Sequence, residues 1–228
     1  MTRSVPLFFA LVAFAVLAQP ATEVAITAEP HHHLALKNNY VRVFKVEVPP
    51  HQATLVHRHQ YDYAYVTIGP VELSNDVEGK APATLKLQDG ETRFSPGKFS
   101  HAVRVLSDTP FRNLTIELLK NTGKDRPVGG WTDQRGLQIL SGGTQDILFV
   151  KDGVRASDVQ LNPGGTLPKD RHGTPQLIVA VSKCTLQTVP GTKASMPLQA
   201  GDFRWMQVAH GLINSSKYPA RFISFDFR

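Results

Sequence analysis

The sequence predicts an all-β protein in which one folded unit occurs twice after an N-terminal signal peptide. Its 228 residues include 17 Gly and 16 Pro, with only 8% aromatic and 19% charged residues, a composition typical of a turn-rich β protein. Short runs that alternate apolar and polar residues, such as VRVFKVEV and YAYVTI, recur between clusters of Gly, Pro, Asn and Asp. The two halves of the chain also resemble each other, which indicates a duplicated domain.

The internal repeat preserves both order and spacing. The aligned segments are residues 40–73 with 153–186, 87–94 with 198–205, and 101–118 with 210–227. The alignment places Arg42 on Arg155 and His59 on His172. A period of about 110 residues is too long for a solenoid repeat, so each copy is expected to fold as its own β-sandwich or barrel.

The first 18 residues predict a signal peptide. Arg3 precedes an apolar run from Val5 to Ala18, which is shorter than the roughly 20 apolar residues of a membrane-spanning helix. We therefore expect an exported protein, periplasmic or extracellular, with no stable membrane insertion, and an uncleaved anchor is the alternative. The rest of the chain is expected to comprise an N-terminal flank (19–33), a first domain (34–119), a linker and inter-barrel segment (120–146) and a second domain (147–228).

Charge and cysteine content narrow the function classes. The formal net charge is +6, but Lys and Arg are spread along the chain without a basic block or a recognition motif, so nucleic-acid binding is not expected. The single cysteine, Cys184, cannot form an intramolecular disulfide. It lies in an apolar run, which favours a buried, inert thiol over a nucleophile.

A pair of histidines, His57 and His59, opens the aromatic run LVHRHQYDYAYVTI. In a strand, alternate side chains share a face, so both imidazoles point the same way, and Tyr63 and Tyr65 have the same parity. His101, which follows a turn at Pro96 and Gly97, is the natural third ligand of a metal site. The alternative is that the two histidines only decorate the polar start of a strand.

These motifs resemble those of the cupin family: HxH, a hydrophobic strand, a Gly-containing turn and a single His about 40 residues later. The resemblance covers residues 34–119 and 147–228 and identifies the chain as a bicupin. It implies a double-stranded jelly-roll β-barrel per unit, often with a divalent transition metal in its mouth. The family's ligands fall on His57, His59 and His101, whereas its glutamate falls on Tyr63.

The missing carboxylate changes the expected donor set. Three neutral imidazoles with water or substrate suit Zn, Cu, Fe or Ni, and Mn also belongs to the metals that the resemblance leaves open. Asp62 lies one residue from the family's glutamate position and would need a β-bulge to turn inward.

The second unit has a weaker version of the site. The matching residues are Asp170, His172, Gln176 and His210. Asp170, His172 and His210 would supply two imidazoles and a carboxylate, a set that suits non-haem iron, Mn or Zn. The alternative, which we favour, is a degenerate copy in which Asp170 lies in a solvated loop between Lys169 and Arg171.

Several arginines also occupy equivalent positions in the two units. The pairs are Arg42 with Arg155, Arg93 with Arg204, and Arg112 with Arg221. A duplicated arginine more often clamps strand to loop than binds substrate.

Two main functions follow from the sequence. The first is an exported small-molecule metalloenzyme of oxygenase, isomerase or decarboxylase type, in which Tyr63 or Tyr65 assists as a hydrogen-bonding or acid-base residue. The second is a non-catalytic module of the cell envelope that binds a small ligand or metal. A purely structural bicupin without metal is a third interpretation, and the resemblance also implies a possible homo-oligomer.

Overall fold

The computed structural model describes residues 22–119, 136–151, 153–169, 173–189 and 195–228. The predicted signal peptide and residues 120–135 of the predicted linker lie outside this part of the chain. Within it, the first half forms a 3₁₀ turn (Ile26–Ala28) and ten strands: β1 (Val24–Ala25), β2 (His32–Lys37), β3 (Val41–Val48), β4 (His57–His59), β5 (Tyr63–Thr67), β6 (Val71–Val77), β7 (Ala83–Leu87), β8 (Thr92–Ser95), β9 (Phe99–Val105) and β10 (Phe111–Leu118).

The second half adds eight strands: β11 (Gly136–Lys151), β12 (Val154–Leu167), β13 (Gln176–Ala180), β14 (Cys184–Val189), β15 (Ser195–Leu198), β16 (Phe203–Met206), β17 (Gly211–Asn214) and β18 (Ala220–Phe227). The prediction of an all-β fold with two barrels is confirmed. None of the described residues forms a helix long and apolar enough to cross a membrane.

Two five-stranded sheets form the first barrel. Their strand orders are β1-β4-β9-β6-β7 and β2-β3-β10-β5-β8. In β3, Val41 and Val43 face one side of the sheet, whereas Phe44 and Val46 face the other, and all four are buried. The alternation of apolar and polar residues in VRVFKVEV therefore changes phase at Phe44, so that the strand buries one face before this residue and the other face after it.

The second barrel repeats this pairing in a single sheet of order β15-β14-β17-β12-β18-β13-β16, with β11 beside β12. Val154 opposes Phe227 across β12 and β18, as Val41 opposes Leu118 across β3 and β10. The internal repeat thus aligns a pair of residues that face each other across two strands of the first barrel with a pair that do so in the second.

Strands outside the aligned repeat complete both barrels. In the first, β1 pairs in parallel with β4, and β2 pairs in antiparallel register with β3, so residues of the flank form part of the barrel wall. In the second, β11 begins within the interval 120–146 and pairs with β12 from Ser141 onward. The register places His32 opposite Val46 in the first barrel and Gln145 opposite Val159 in the second. Because Val46 and Val159 are aligned in the internal repeat, His32 and Gln145 occupy equivalent positions.

The two barrels pack through one apolar cluster. The first barrel contributes residues such as Ala64, Val66 and Ile116 from the outer face of its second sheet. Residues such as Leu177 and Phe225 of the second barrel pack against them. A polar contact adds to this interface, because the Arg221 guanidinium donates a hydrogen bond to the carbonyl oxygen of Asp89 at 3.0 Å.

Candidate metal centre

Three histidines converge inside the first barrel. His57 and His59 point inward from β4, and His101 lies directly opposite His57 on β9. Each offers a ring nitrogen that lies within 4.8 Å of those of the other two. The side chains are buried, with residue exposures of 1%, 2% and 8%. The structure therefore brings together the three residues that the motif singled out.

Hydrogen bonds orient two of these rings. Nδ1 of His57 donates to the carbonyl oxygen of Leu55 at 2.9 Å, and Nδ1 of His101 donates to Oδ1 of Asn75 at 2.7 Å. Both bonds leave the Nε2 lone pair free, and both Nε2 atoms are buried without a hydrogen-bond partner. Buried polar atoms are rarely unpaired, and metal-binding histidines commonly donate their other nitrogen in this way.

Glu117 approaches the third ring and was not found from the sequence. Its Oε1 lies 3.6 Å from Nδ1 of His59, and its exposure is 0%. Its Oε2 accepts a hydrogen bond from Nε of Arg42 at 2.7 Å. A carboxylate in this position favours the His59 tautomer in which Nε2 can bind a metal. The sequence does carry a signal for such a buried carboxylate. Each of the apolar strands LTIEL and FISFDF contains one acidic residue, Glu117 and Asp226 respectively.

Burial keeps the three rings neutral at neutral pH. It lowers the pKa of His57 to about 4, with a further lowering from the charge of His32. It lowers the pKa of His101 to about 2, and the neighbouring histidines add to the effect. The pKa of His59 is also lowered, because burial outweighs the opposing influence of Glu117. Neutral imidazole is the form that binds metal.

The tyrosines line the same cavity. Tyr63 stacks on His59, with ring centroids 4.0 Å apart and planes 14° from parallel. Burial raises the pKa of Tyr63 to about 12, although a hydrogen bond with Ser95 opposes it, and burial likewise raises the pKa of Tyr65. Both phenols are therefore neutral and serve as hydrogen-bonding groups.

Asp62 does not replace the family's glutamate. Its Oδ1 accepts a hydrogen bond from the backbone nitrogen of Gly97 at 2.7 Å, and it is not among the cavity-lining residues. The close approach of Gly97 explains this orientation, because a Cβ there would lie 2.2 Å from the carbonyl oxygen of Tyr61. The carboxylate thus fastens the turn before β9.

A fourth histidine, His32, also borders the cavity. The sequence predicts that the run His31-His32-His33 belongs to the N-terminal flank, with a chance metal trap or a contact at the barrel edge as the alternative. Its ring centroid lies 4.6 Å from that of His57 and 6.4 Å from that of His59. Its Nδ1 lies 2.5 Å from Oε2 of the buried Glu29. β2 brings His32 to the site through its pairing with β3.

The cavity is small and has two kinds of wall. Its volume is about 70 Å³, enough for a few water molecules or a small ligand. Polar groups surround the histidines, and apolar side chains from both sheets close the remainder. The lining residues besides the histidines and the two tyrosines are Val46, Thr54, Leu73, Asn75, Leu85, Leu87, Val103, Phe111, Asn113 and Thr115.

The second barrel does not show an equivalent cluster among the described residues. Asp170 and His172 lie outside them. Gln176 is buried, and its Nε2 donates to Ser224 and Asp226 at 3.0 and 3.1 Å. His210 is half-buried. Among the described residues, the grouping of potential ligands occurs at His57, His59 and His101.

No protein-family model matches the chain, and no curated protein matches it either. Solved structures do. An oxalate decarboxylase of Bacillus subtilis, described with Mn(II) centres, is 13% identical with a TM-score of 0.56. The match spans 83% of this chain and 69% of the decarboxylase chain. AerE of Microcystis aeruginosa is 12% identical with a TM-score of 0.60, and the match spans 88% of this chain and 98% of AerE.

A third structure, the formate complex of Lactobacillus farciminis oxalate decarboxylase, is 11% identical with a TM-score of 0.58, and the match spans 84% of this chain and 78% of that one. At these identities the similarity concerns the fold. The two barrels and these structural matches show that the chain has a bicupin fold, as the resemblance in its motifs predicted.

Proposed function

We propose that the first barrel holds one divalent transition metal through His57, His59 and His101 and acts on a small molecule in the adjoining cavity. The two unpartnered Nε2 atoms of His57 and His101 carry this proposal. Leaving a buried polar atom without a partner costs about 1–3 kcal/mol, so two such atoms in one cluster of histidines indicate a shared ligand.

The donor set fits such a metal. Three neutral nitrogens suit Fe, Zn, Cu or Ni, and the Mn(II) centres of the oxalate decarboxylase keep Mn among the possibilities. Three protein ligands leave coordination positions open, as in catalytic rather than structural sites. A bound metal would supply Lewis acidity and, if it is redox-active, electron transfer.

The surrounding residues determine which ligand suits the cavity. The three imidazoles carry no charge, and the carboxylate of Glu117, 3.6 Å from Nδ1 of His59, is already paired with Arg42. A divalent cation would therefore keep most of its positive charge, which favours a small anion such as a carboxylate. The apolar walls formed by Val46, Leu73 and Phe111 limit water around that ligand.

The reaction class follows from the same features only in outline. Oxalate decarboxylases with this fold act on a small dicarboxylate, and we propose decarboxylase, oxygenase or isomerase chemistry on a small carboxylate. Tyr63 and Tyr65, as neutral phenols, would orient that substrate through hydrogen bonds. Export to the periplasm or beyond is also proposed, on the composition of the first 18 residues.

Elemental analysis of the untagged protein tests the metal site. We expect close to one equivalent of a transition metal in the wild-type protein and almost none in the double variant His57→Ala/His59→Ala. The matched control is His33→Ala/His51→Asn, which changes two exposed histidines.

The control is expected to keep the full metal content. Absence of metal from the wild-type protein after reconstitution at neutral pH would overturn the metalloenzyme proposal. A loaded protein without affinity for any small carboxylate would instead favour a module that only binds metal.

A further inference from the structure

The His32 and Glu29 pair forms a second functional element beside the three histidines. Glu29 is almost fully buried, and its Oε2 accepts a hydrogen bond from the backbone nitrogen of His31 at 2.9 Å. Its Oε1 accepts one from the backbone nitrogen of Leu55 at 3.2 Å. The carboxylate is thus fixed on three sides, and with it the ring of His32.

This arrangement determines which nitrogen of His32 carries hydrogen. Burial raises the pKa of Glu29, but the hydrogen bonds and charge of His32 and the two backbone donors hold the net pKa below its ordinary value. The carboxylate is therefore ionised and can only accept, so Nδ1 of His32 must donate. Nε2 is then the ring nitrogen left for a ligand, and no described residue forms a hydrogen bond with it. Because the Glu29 carboxylate is ionised, the pair has no net positive charge, which suits a neutral hydroxyl group better than a second carboxylate.

The distances place His32 outside the metal-binding group. The donor atoms of His57, His59 and His101 lie within 4.8 Å of one another, and His32 does not belong to this set. It nevertheless lines the same cavity, with its ring centroid 4.6 Å from that of His57. A molecule held at the three histidines would consequently extend towards His32.

Resting on the proposed metal site, we propose that His32 is a ligand-contacting residue whose Nε2 forms a hydrogen bond with the hydroxyl group of a small hydroxycarboxylate. The carboxylate of that ligand would lie at the three histidines, and its hydroxyl would face His32. Glu29 is the positioning residue, because it fixes the ring without touching the ligand. The cavity of about 70 Å³ restricts the ligand to a few non-hydrogen atoms.

Ligand selectivity of the Co²⁺-loaded protein tests this assignment without an activity assay. Glycolate and acetate are titrated separately, and binding is followed by the visible absorption of Co²⁺. The two probes differ by one hydroxyl group. We expect His32→Leu to reduce the preference for glycolate over acetate about tenfold, the worth of one hydrogen bond to a fixed partner.

Two further variants make the result specific. Gln145→Leu changes the equivalent position of the second barrel and is expected to leave the preference unchanged. His32→Leu leaves Glu29 buried without its partner, so Glu29→Gln/His32→Leu removes the charge together with the ring. Thermal unfolding and Co²⁺ content verify that each variant is folded and loaded.

The possible failures are distinguishable. A wild-type protein that takes up no Co²⁺ overturns the proposed metal site. A loaded His32→Leu variant with the wild-type preference overturns the role of His32 and leaves the metal site intact. Loss of Co²⁺ from both His32 variants, to the extent seen in His57→Ala, would make His32 a metal ligand and also overturn the assignment.

Discussion

The two barrels share a backbone pattern but fill their interiors differently. Where the first barrel has Tyr65 and Asn113 beside its cavity, the repeat places Ile178 and Phe222 in the second. Both replacements belong to the apolar cluster inside the second barrel. The comparison teaches that a barrel can keep its strand register while its interior changes from a lined cavity to a packed core.

The largest expected effect tests that difference directly. Phe222→Ala should lower the free energy of unfolding by about 4 kcal/mol, because it removes a fully buried ring and leaves a void. Asn113→Ala in the first barrel should cost only about 1 kcal/mol, since it loses a hydrogen bond from Thr115 beside an existing cavity. Chemical denaturation measures both, and equal losses would contradict the distinction.

The next effect concerns the buried ion pair present in both barrels. Glu117→Ala should cost about 3 kcal/mol, because it leaves Arg42 largely buried without its partner. Asp226→Ala, which removes the corresponding ion pair of Arg155, should cost a similar amount. Metal affinity separates them: only Glu117→Ala should weaken binding, by about 10-fold to 100-fold. Equal affinities, measured by metal titration, would exclude a role for Glu117.

Acid should destabilise the metal-free first barrel. The folded-state pKa of His57 is about 4, below the ordinary value of 6.5, so the unfolded chain binds protons more readily. Stability is therefore complete above pH 6.5 and declines as the pH falls towards 4. The loss from His57 alone should be about 2 kcal/mol between pH 7 and pH 5.

Hydrogen exchange measured peptide by peptide can locate this loss. Protection should decrease in β4 and β9 before it decreases in β12 and β18. His57→Asn, which does not titrate in this range, should flatten the dependence on pH. A decline of equal size throughout both barrels would mean that the three histidines do not control it.

The smallest expected effect belongs to the second barrel. His210→Ala should change the free energy of unfolding by less than about 0.5 kcal/mol, because the side chain is half-buried. Metal content should remain at its wild-type value. A second equivalent of metal that disappears in this variant would instead assign a site to the second barrel.

Local patterns in the sequence predicted the fold and the histidine cluster. Alternation placed His57, His59 and the tyrosines on one face, because the period of a strand is two residues. The cupin resemblance added His101. These features depend on short segments, and the structure brings the predicted side chains together.

The remaining residues of the site depend on long-range pairing. His32 reaches the cavity only through the register of β2 with β3, and Glu117 reaches His59 through the pairing of β10 with β3 and β5. Asp62 turns away because Gly97 supplies a backbone donor. No pattern of adjacent residues specifies such contacts, since the choice among strand partners is made by the whole sheet.

The ion pair of Arg42 with Glu117 has an exact counterpart in Arg155 with Asp226. Since both copies hold it, the simplest history places the pair in the ancestral single barrel, before the gene was duplicated. In both barrels the pair joins two neighbouring strands, and in the first it also holds a carboxylate 3.6 Å from Nδ1 of His59.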